Sequence, residues 1–290
     1  MTQRHSLPPA AASGTLALGD FTVNRLAYGA MRITGEGTFG PPADPSECIR
    51  VLRRAVELGV NFIDTADSYG PDISEELIAK ALHPYPAGLV IGTKGGFTRP
   101  GPDNWQLDCN PARLRKQLEG SLRKLKVQRV DLWQLHRIDT KYPAEAQFNL
   151  LADFIREGKV KHVGLSEVGV DDIKAARKIV PIVSVQNRYN IADREWEAVV
   201  DYCQEEKIAF IPWYPLGAGM RAKSAVKQEK KIDAVAKKLG ASKMQVALAW
   251  LLRRSPVMLP IPGTSKVEHL EENVKAAALE LSAEDLAALS

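Results

Sequence analysis

The chain contains no run of the roughly 18 apolar residues that a membrane helix needs. Its opening segment, "MTQRHSLPPAAASG", holds no apolar core of the length a signal peptide uses. Cysteine is scarce: Cys48, Cys109 and Cys203 are far apart, odd in number and free of any C-x-x-C or Cys/His grouping. That excludes a disulfide framework and a thiolate metal site, and predicts reduced thiols in a cytoplasmic protein. Neither G-x-G-x-x-G nor G-x-x-x-x-G-K-[ST] occurs, so any nucleotide must be held without the two common glycine-rich phosphate cradles. No Gly-, Ser- or Pro-rich linker divides the chain. Charge of one sign is also missing. The 39 basic and 35 acidic residues are mixed along the sequence, and the densest basic run, Lys227 to Lys231, is broken by Gln228 and Glu229. A solvated helix face explains that run, and neither nucleic acid nor membrane is expected as a partner.

What remains is a globular composition, 45% hydrophobic and 26% charged over 290 residues. From Leu26 onward, short β-branched or apolar runs alternate with amphipathic stretches, which argues for a parallel sheet with helices outside it. Eight candidate strands lie near Leu26–Tyr28, Val60–Ile63, Leu89–Gly92, Val130–Gln134, Val160–Gly164, Ile182–Val185, Ile208–Ile211 and Val257–Ile261. Between them, "PSECIRVLRRAVELG" spaces Ile49, Leu52 and Val56 at three to four residues, with Pro45-Ser46 opening and Gly59 closing a helix. The same pattern recurs in "PARLRKQLEGSLRKL", "PAEAQFNLLADFIREG" and "SKMQVALAWLLRRS". Eight such pairs in about 260 residues match a (β/α)8 TIM barrel. Residues 15–290 are therefore expected to form one barrel domain behind a flexible tail, 1–14. "TLALGDFTVNRL" reads as a short N-terminal hairpin around Gly19-Asp20.

In such a barrel, function sits at the carboxyl ends of the strands. Asp64 follows "VNFI", Tyr69 lies in the loop beyond it, Lys94 follows "LVIGT" and His136 follows "DLWQL". Each alone has a bland role open to it: a turn cap, a loop filler, a solvated tip, an imidazole bonded to a carbonyl. Together, adjacent strands bring a carboxylate, a phenol, an ammonium and an imidazole to one mouth. A phenol titrates near pH 10, and a neighbouring Lys94 is expected to lower that value for Tyr69. Asp64 would hold Lys94 charged, and His136 would orient a substrate oxygen or share the proton. A carbonyl polarised between Tyr69 and His136 invites hydride, since no activated serine or cysteine is evident.

With these residues in place, the sequence resembles the aldo-keto reductase family over nearly its whole length, from "RLAYGAM" to "IPGTSKVEHLEENV". The motifs are "DTADSYG", "IGTKGG" and "DLWQLHRID". The resemblance implies that Asp64, Tyr69, Lys94 and His136 form a catalytic tetrad reducing an aldehyde or ketone, with Tyr69 as proton donor and NADP(H), or alternatively NAD(H), as cofactor. It implies further that Ser166 and Gln186 meet the nicotinamide carboxamide. "GLSE" carries Glu167 where the family commonly has asparagine, and a carboxylate can accept from the carboxamide but cannot donate to it. In "PWYPLGAG", Trp213 matches the aromatic that stacks on the nicotinamide, followed by Pro215, Leu216 and Gly217. Gly263, Thr264, Ser265 and Lys266 match the phosphate-contacting stretch, and Glu272 and Asn273 match residues that meet the adenine. His269 stands where many members have an arginine for the 2′-phosphate, with Lys266 supplying the charge. A helix starting after Thr264-Ser265 would offer free backbone N–H groups to an anion.

On the substrate side, Tyr28, Met31, Trp105 and Arg137 are candidate pocket walls, and "GGFTRPGPDNWQLDCN" is long enough to fold over the mouth as a lid. Two other functions stay open on sequence alone. One is a non-catalytic NADP(H)-binding accessory subunit, a role some members of the family take; the other is a barrel aldolase using Lys94 as a Schiff-base amine. Oligomeric state and physiological substrate are not legible.

Overall fold

The computed structural model describes residues 8–215 and 223–289. Its centre is a parallel sheet of β3 (Tyr28–Gly29), β4 (Phe62–Asp64), β5 (Val90–Gly95), β8 (Val130–Leu135), β9 (Val160–Ser166), β10 (Ile182–Gln186) and β11 (Ala209–Phe210), each hydrogen-bonded to the next in that order. Residues 257–262 fill the remaining gap. The Phe210 amide donates to Val257 O (2.9 Å), the Leu259 amide donates to Phe210 O (2.8 Å), and on the other side the Ala27 amide donates to Pro260 O (3.0 Å). Pro260 and Pro262 have no N–H to give, so towards β3 this eighth staff acts through its carbonyls alone. These contacts close the ring at both ends of the parallel sheet. Seven of the eight expected strands form the sheet, the eighth is present as this hydrogen-bonded segment, and the fold is the (β/α)8 barrel.

The expected helices follow the same pattern. α1 (Pro45–Glu57) begins at Asp44, whose side chain accepts from the Glu47 amide, while α3 (Pro111–Leu125) begins at Asn110, which accepts from Ala112. Such caps satisfy amides that the first helical turn leaves without partners. α4 (Ala144–Arg156) and α8 (Lys243–Arg254) also match their sequence signals. No helix among the described residues is long and apolar enough to cross a membrane.

Strand alternation decides what points where. Phe62, Val90 and Leu132 belong to the apolar cluster inside the barrel, whereas their neighbours Ile63, Ile91 and Trp133 pack outward against the helices. Two residues further on, the inward positions are Asp64, Gly92 and Gln134; the next are Lys94 and His136. Period two thus carries each strand from an apolar floor to a polar mouth. Gly164 is part of this design: a Cβ there would lie 2.1 Å from Ser184 Oγ, so only glycine leaves room for the side chains crossing the barrel at that level.

The hairpin β1 (Thr15–Leu18) and β2 (Phe21–Asn24) closes the floor. Leu16, Leu18 and Val23 join the interior cluster with Phe62, Val90 and Leu132, and Gly19 takes the left-handed turn position at φ 64°. Part of the segment expected as a loose tail is ordered. Pro9–Ser13 forms a 3-10 helix with Ala10 fully buried and its amide bonded to Leu58 O at 2.9 Å; residues 1–7 lie outside the description. The expected lid is ordered as the hairpin β6 (Phe97–Gly101) and β7 (Asn104–Leu107). Arg99 fixes it by donating to Gly37 O (2.6 Å) and Ser68 O (3.1 Å) while its guanidinium lies 3.7 Å from the Trp105 ring centroid.

Because Leu18 is fully buried in the floor, Leu18→Ala should cost about 2–5 kcal/mol of unfolding free energy by denaturant titration. Thr22→Ala, on the exposed side of the same hairpin, should change it by less than about 0.5 kcal/mol.

Candidate active site

The mouth is organised around the Lys94 ammonium. Its three protons have three acceptors: Asp64 Oδ2 at 2.7 Å, Thr65 O at 2.7 Å and the Tyr69 hydroxyl at 3.3 Å. The other Asp64 oxygen accepts from Gln186 Nε2 (2.8 Å) and Gln134 Nε2 (3.2 Å), and Ser184 Oγ donates to Gln134 Oε1 at 3.3 Å. The pair is out of water, with side-chain exposures of 0% for Lys94 and 2% for Asp64. A buried ion pair is tolerable only when its remaining hydrogen-bonding capacity is filled in this way.

Electrostatics set three protonation states. Burial works against the Lys94 ammonium, but Asp64 and Tyr69 outweigh it and hold the Lys94 pKa above its ordinary value. The amine is therefore charged and non-nucleophilic, which argues against a Schiff-base role. Burial raises the Tyr69 phenol above its ordinary value, and the opposing pull of Lys94 does not cancel it. This corrects the expectation of a lowered tyrosine: in the closed mouth, loss of water outweighs the nearby cation. His136 is driven well below the usual imidazole value by burial, then by Lys94 and Arg137, so its ring is neutral. Its Nδ1 is buried without a hydrogen-bond partner. Burial also pushes the Cys109 and Cys203 thiols up to about 12, so neither is a nucleophile.

A cavity of 480 Å³ opens over these groups. Tyr69, His136, Phe97 and Trp105, whose rings meet edge to face, line it together with Ser166, Gln186 and Trp213. Of the expected substrate walls, Met31, Trp105 and Arg137 line the cavity. Tyr28 does not. It points outward from β3 into the cluster beneath α1, fully buried, with its hydroxyl donating to Thr264 O at 2.6 Å; alternation puts Gly29, not Tyr28, at the cavity.

The cofactor residues inferred from the resemblance fall into groups. Ser166, Gln186, Trp213, Pro215 and Gly263 reach the cavity. Ser166 Oγ accepts from Arg137 Nη1 at 2.9 Å, while the Gln186 amide is engaged by Asp64. Glu167 stands in a left-handed conformation at φ 56°, with Oε1 accepting from the Arg188 amide (2.6 Å) and Trp213 Nε1 (2.5 Å). Leu216 and Gly217 lie outside the described residues. Thr264 Oγ1 accepts from the Lys266 amide at 3.1 Å, and α9 (Val267–Lys275) starts just beyond. The first N–H of that helix is taken: Val267 donates to Glu47 Oε1 at 3.1 Å. Ser265 precedes this turn, Lys266 lines a second cleft with Asp44, Glu47 and Arg50, and His269 is exposed, 3.8 Å from Glu268. Glu272 O accepts from Gln245 Nε2 at 2.9 Å, and Asn273 is buried.

Three contributors escaped the sequence. Thr65 acts through its carbonyl, which any residue would supply. Phe97 belongs to a segment without strand signals. Gln134 did carry a signal: it pairs in register with Lys94, and inward parity on β8 places it beside Asp64.

The model of the aldo/keto reductase family matches residues 25–290. The chain is 53% identical to an uncharacterised oxidoreductase of Schizosaccharomyces pombe, over 99% of this chain and 92% of the relative. It is 46% identical to the pyridoxine 4-dehydrogenase of Escherichia coli, over 96% and 97% respectively. Among solved structures, a glycerol dehydrogenase from Gluconobacter oxydans superposes with a TM-score of 0.86 at 25% identity, covering 96% of this chain and 94% of that one. An aldo-keto reductase from Klebsiella pneumoniae, in complex with NADPH, does so with a TM-score of 0.80 at 24% identity, covering 95% and 93%. Sequence, fold and the residues at the barrel mouth agree: the chain belongs to the aldo-keto reductase family of oxidoreductases.

Proposed function

We propose that this protein uses NADP(H) to reduce an aldehyde or ketone to the alcohol, with Tyr69 as proton donor. The observation that carries this is the shared contact of Lys94 with Asp64 and the Tyr69 hydroxyl at the base of the cavity. The residues present suit the cofactor. Ser166 offers a hydroxyl, Trp213 a flat face on the same cavity, and Lys266 a cation in the neighbouring cleft. When bound, NADPH supplies the hydride.

The chain's own part is to hold the substrate oxygen and move one proton. A carbonyl oxygen between Tyr69 and neutral His136 receives the phenolic proton as negative charge builds on it. Tyr69 is left as a phenolate 3.3 Å from the Lys94 ammonium, which stabilises it without giving up its own proton. Asp64 keeps that ammonium charged throughout. In the oxidation direction the same proton returns from the alcohol to Tyr69.

The aromatic walls formed by Tyr69, Phe97 and Trp105 suit a flat substrate, and the pyridoxine 4-dehydrogenase relative makes the 4-position alcohol and aldehyde of pyridoxine the first pair to assay. Tyr69→Phe should lower kcat by about 10²-fold or more and leave the Kd for NADPH within about threefold; undiminished turnover of a carbonyl panel would refute the assignment.

Reduction needs Tyr69 protonated, so activity is present below its raised pKa and lost only above it. With His136 lowered, kcat/KM for reduction should show no inflection near the usual imidazole value of about 6.5 and should fall only in alkaline solution. A pH-rate profile with a break near neutrality would contradict these protonation states.

At the far end, Glu47 places a carboxylate on the helix start that a 2′-phosphate would approach. Glu47→Gln keeps an acceptor for Val267 and removes the charge, so NADPH should bind about three- to tenfold tighter, on the scale of one helix-terminus charge interaction. NADH, titrated in parallel by fluorescence, should change by less.

A further inference from the structure

We propose that Glu167 is a positioning residue that sets the plane of the Trp213 indole, and so shapes the cofactor wall without touching the cofactor itself. This rests on the preceding reading to the extent that the open face of Trp213 receives the nicotinamide. One carboxylate oxygen, Oε1, takes both the Arg188 amide (2.6 Å) and Trp213 Nε1 (2.5 Å). Both contacts are shorter than the usual 2.9 Å or so of an amide bond, as a charged acceptor makes them.

The backbone explains the aim of the side chain. Glu167 is the residue after β9; its amide donates to Gln186 O (3.1 Å) and its φ of 56° is left-handed. That conformation costs about 1–2 kcal/mol for a residue with a Cβ, offset here by two charge-assisted bonds. The carboxylate is thereby sent across the ends of β10 and β11. The Trp213 main chain is already held, donating to Asn187 O (3.1 Å) and accepting from the Tyr189 amide (3.4 Å). The ring is not. Its only side-chain hydrogen bond among the described residues is the one to Glu167, with Arg137 at 6.0 Å and Tyr214 at 6.1 Å from its centroid.

Donor and acceptor are matched. Phenylalanine at 213 has no N–H to give, and asparagine at 167 is one methylene shorter than the side chain that spans this gap. Glutamine keeps the reach and the acceptor oxygen but drops the charge. Glu167, which stands where the family commonly has asparagine, and Trp213 are thus joined in one interaction.

The test begins on the cofactor-free protein labelled with ¹⁵N-tryptophan, the Trp213 indole resonance being assigned by its loss in Trp213→Phe. Glu167→Ala should move that resonance to the region of freely solvated indoles, while Glu167→Gln should leave it hydrogen-bonded. NADPH titration should then show about tenfold weaker binding for Glu167→Ala, within about threefold of wild type for Glu167→Gln, and no added loss when Glu167→Ala is placed in the Trp213→Phe background. An unmoved resonance in Glu167→Ala, a Glu167→Gln variant as impaired as Glu167→Ala, or additive losses in the double variant would each overturn the proposal. A wild-type protein that fails to bind NADPH while the resonance behaves as described would refute the cofactor assignment and leave the clamp standing.

Discussion

An ammonium and a carboxylate held 2.7 Å apart with almost no exposure place a demand on everything around them. Taking either ion out of water costs several kcal/mol, and their mutual attraction compensates only if every other donor and acceptor is filled. Lys94 meets this with the Thr65 carbonyl and the Tyr69 hydroxyl, and Asp64 meets it with two glutamine amides, one from β8 and one from β10. The requirement spreads from there. Gln134 needs Ser184 behind it, and the crossing needs a glycine at 164. The polar mouth is one connected arrangement that ends at the phenol, which lines the cavity.

Much of this was legible in the sequence because the barrel converts strand parity into position. A residue two steps beyond an inward apolar residue is at the mouth, so Asp64, Lys94 and His136 could be placed without coordinates, and all eight staves stood out as apolar runs. Tyr28 shows where that fails. A candidate pocket wall by sequence, it has outward parity and serves as packing beneath α1. The tail failed for another reason: "PPAAAS" has no periodic signal, yet a single alanine finds a buried seat against Leu58. Nor does a sequence reveal how burial and a nearby cation balance at Tyr69, since the result depends on how completely water is excluded.

Two carboxylates give this molecule its particular character. The N-terminus of α9 and the position after Ser166 are places where resemblance suggested groups acting directly on a nucleotide. The structure shows Glu47 at the first and, at the second, Glu167 with its carboxylate on the Trp213 indole, each bonded to the protein itself. Neither arrangement could be read from a motif, because each depends on a partner distant in sequence, Val267 in one case and Trp213 in the other.

The central claim is that Asp64 and Lys94 work as a single unit behind Tyr69. Single-turnover rates of NADPH oxidation by a carbonyl substrate, measured for Asp64→Asn, Lys94→Met and the double variant, test it directly. If the pair is one unit, the double variant should be about as slow as the slower single variant. Losses that multiply, each substitution lowering the rate by its own factor whether or not the other is present, would show two independent contributions and contradict the account.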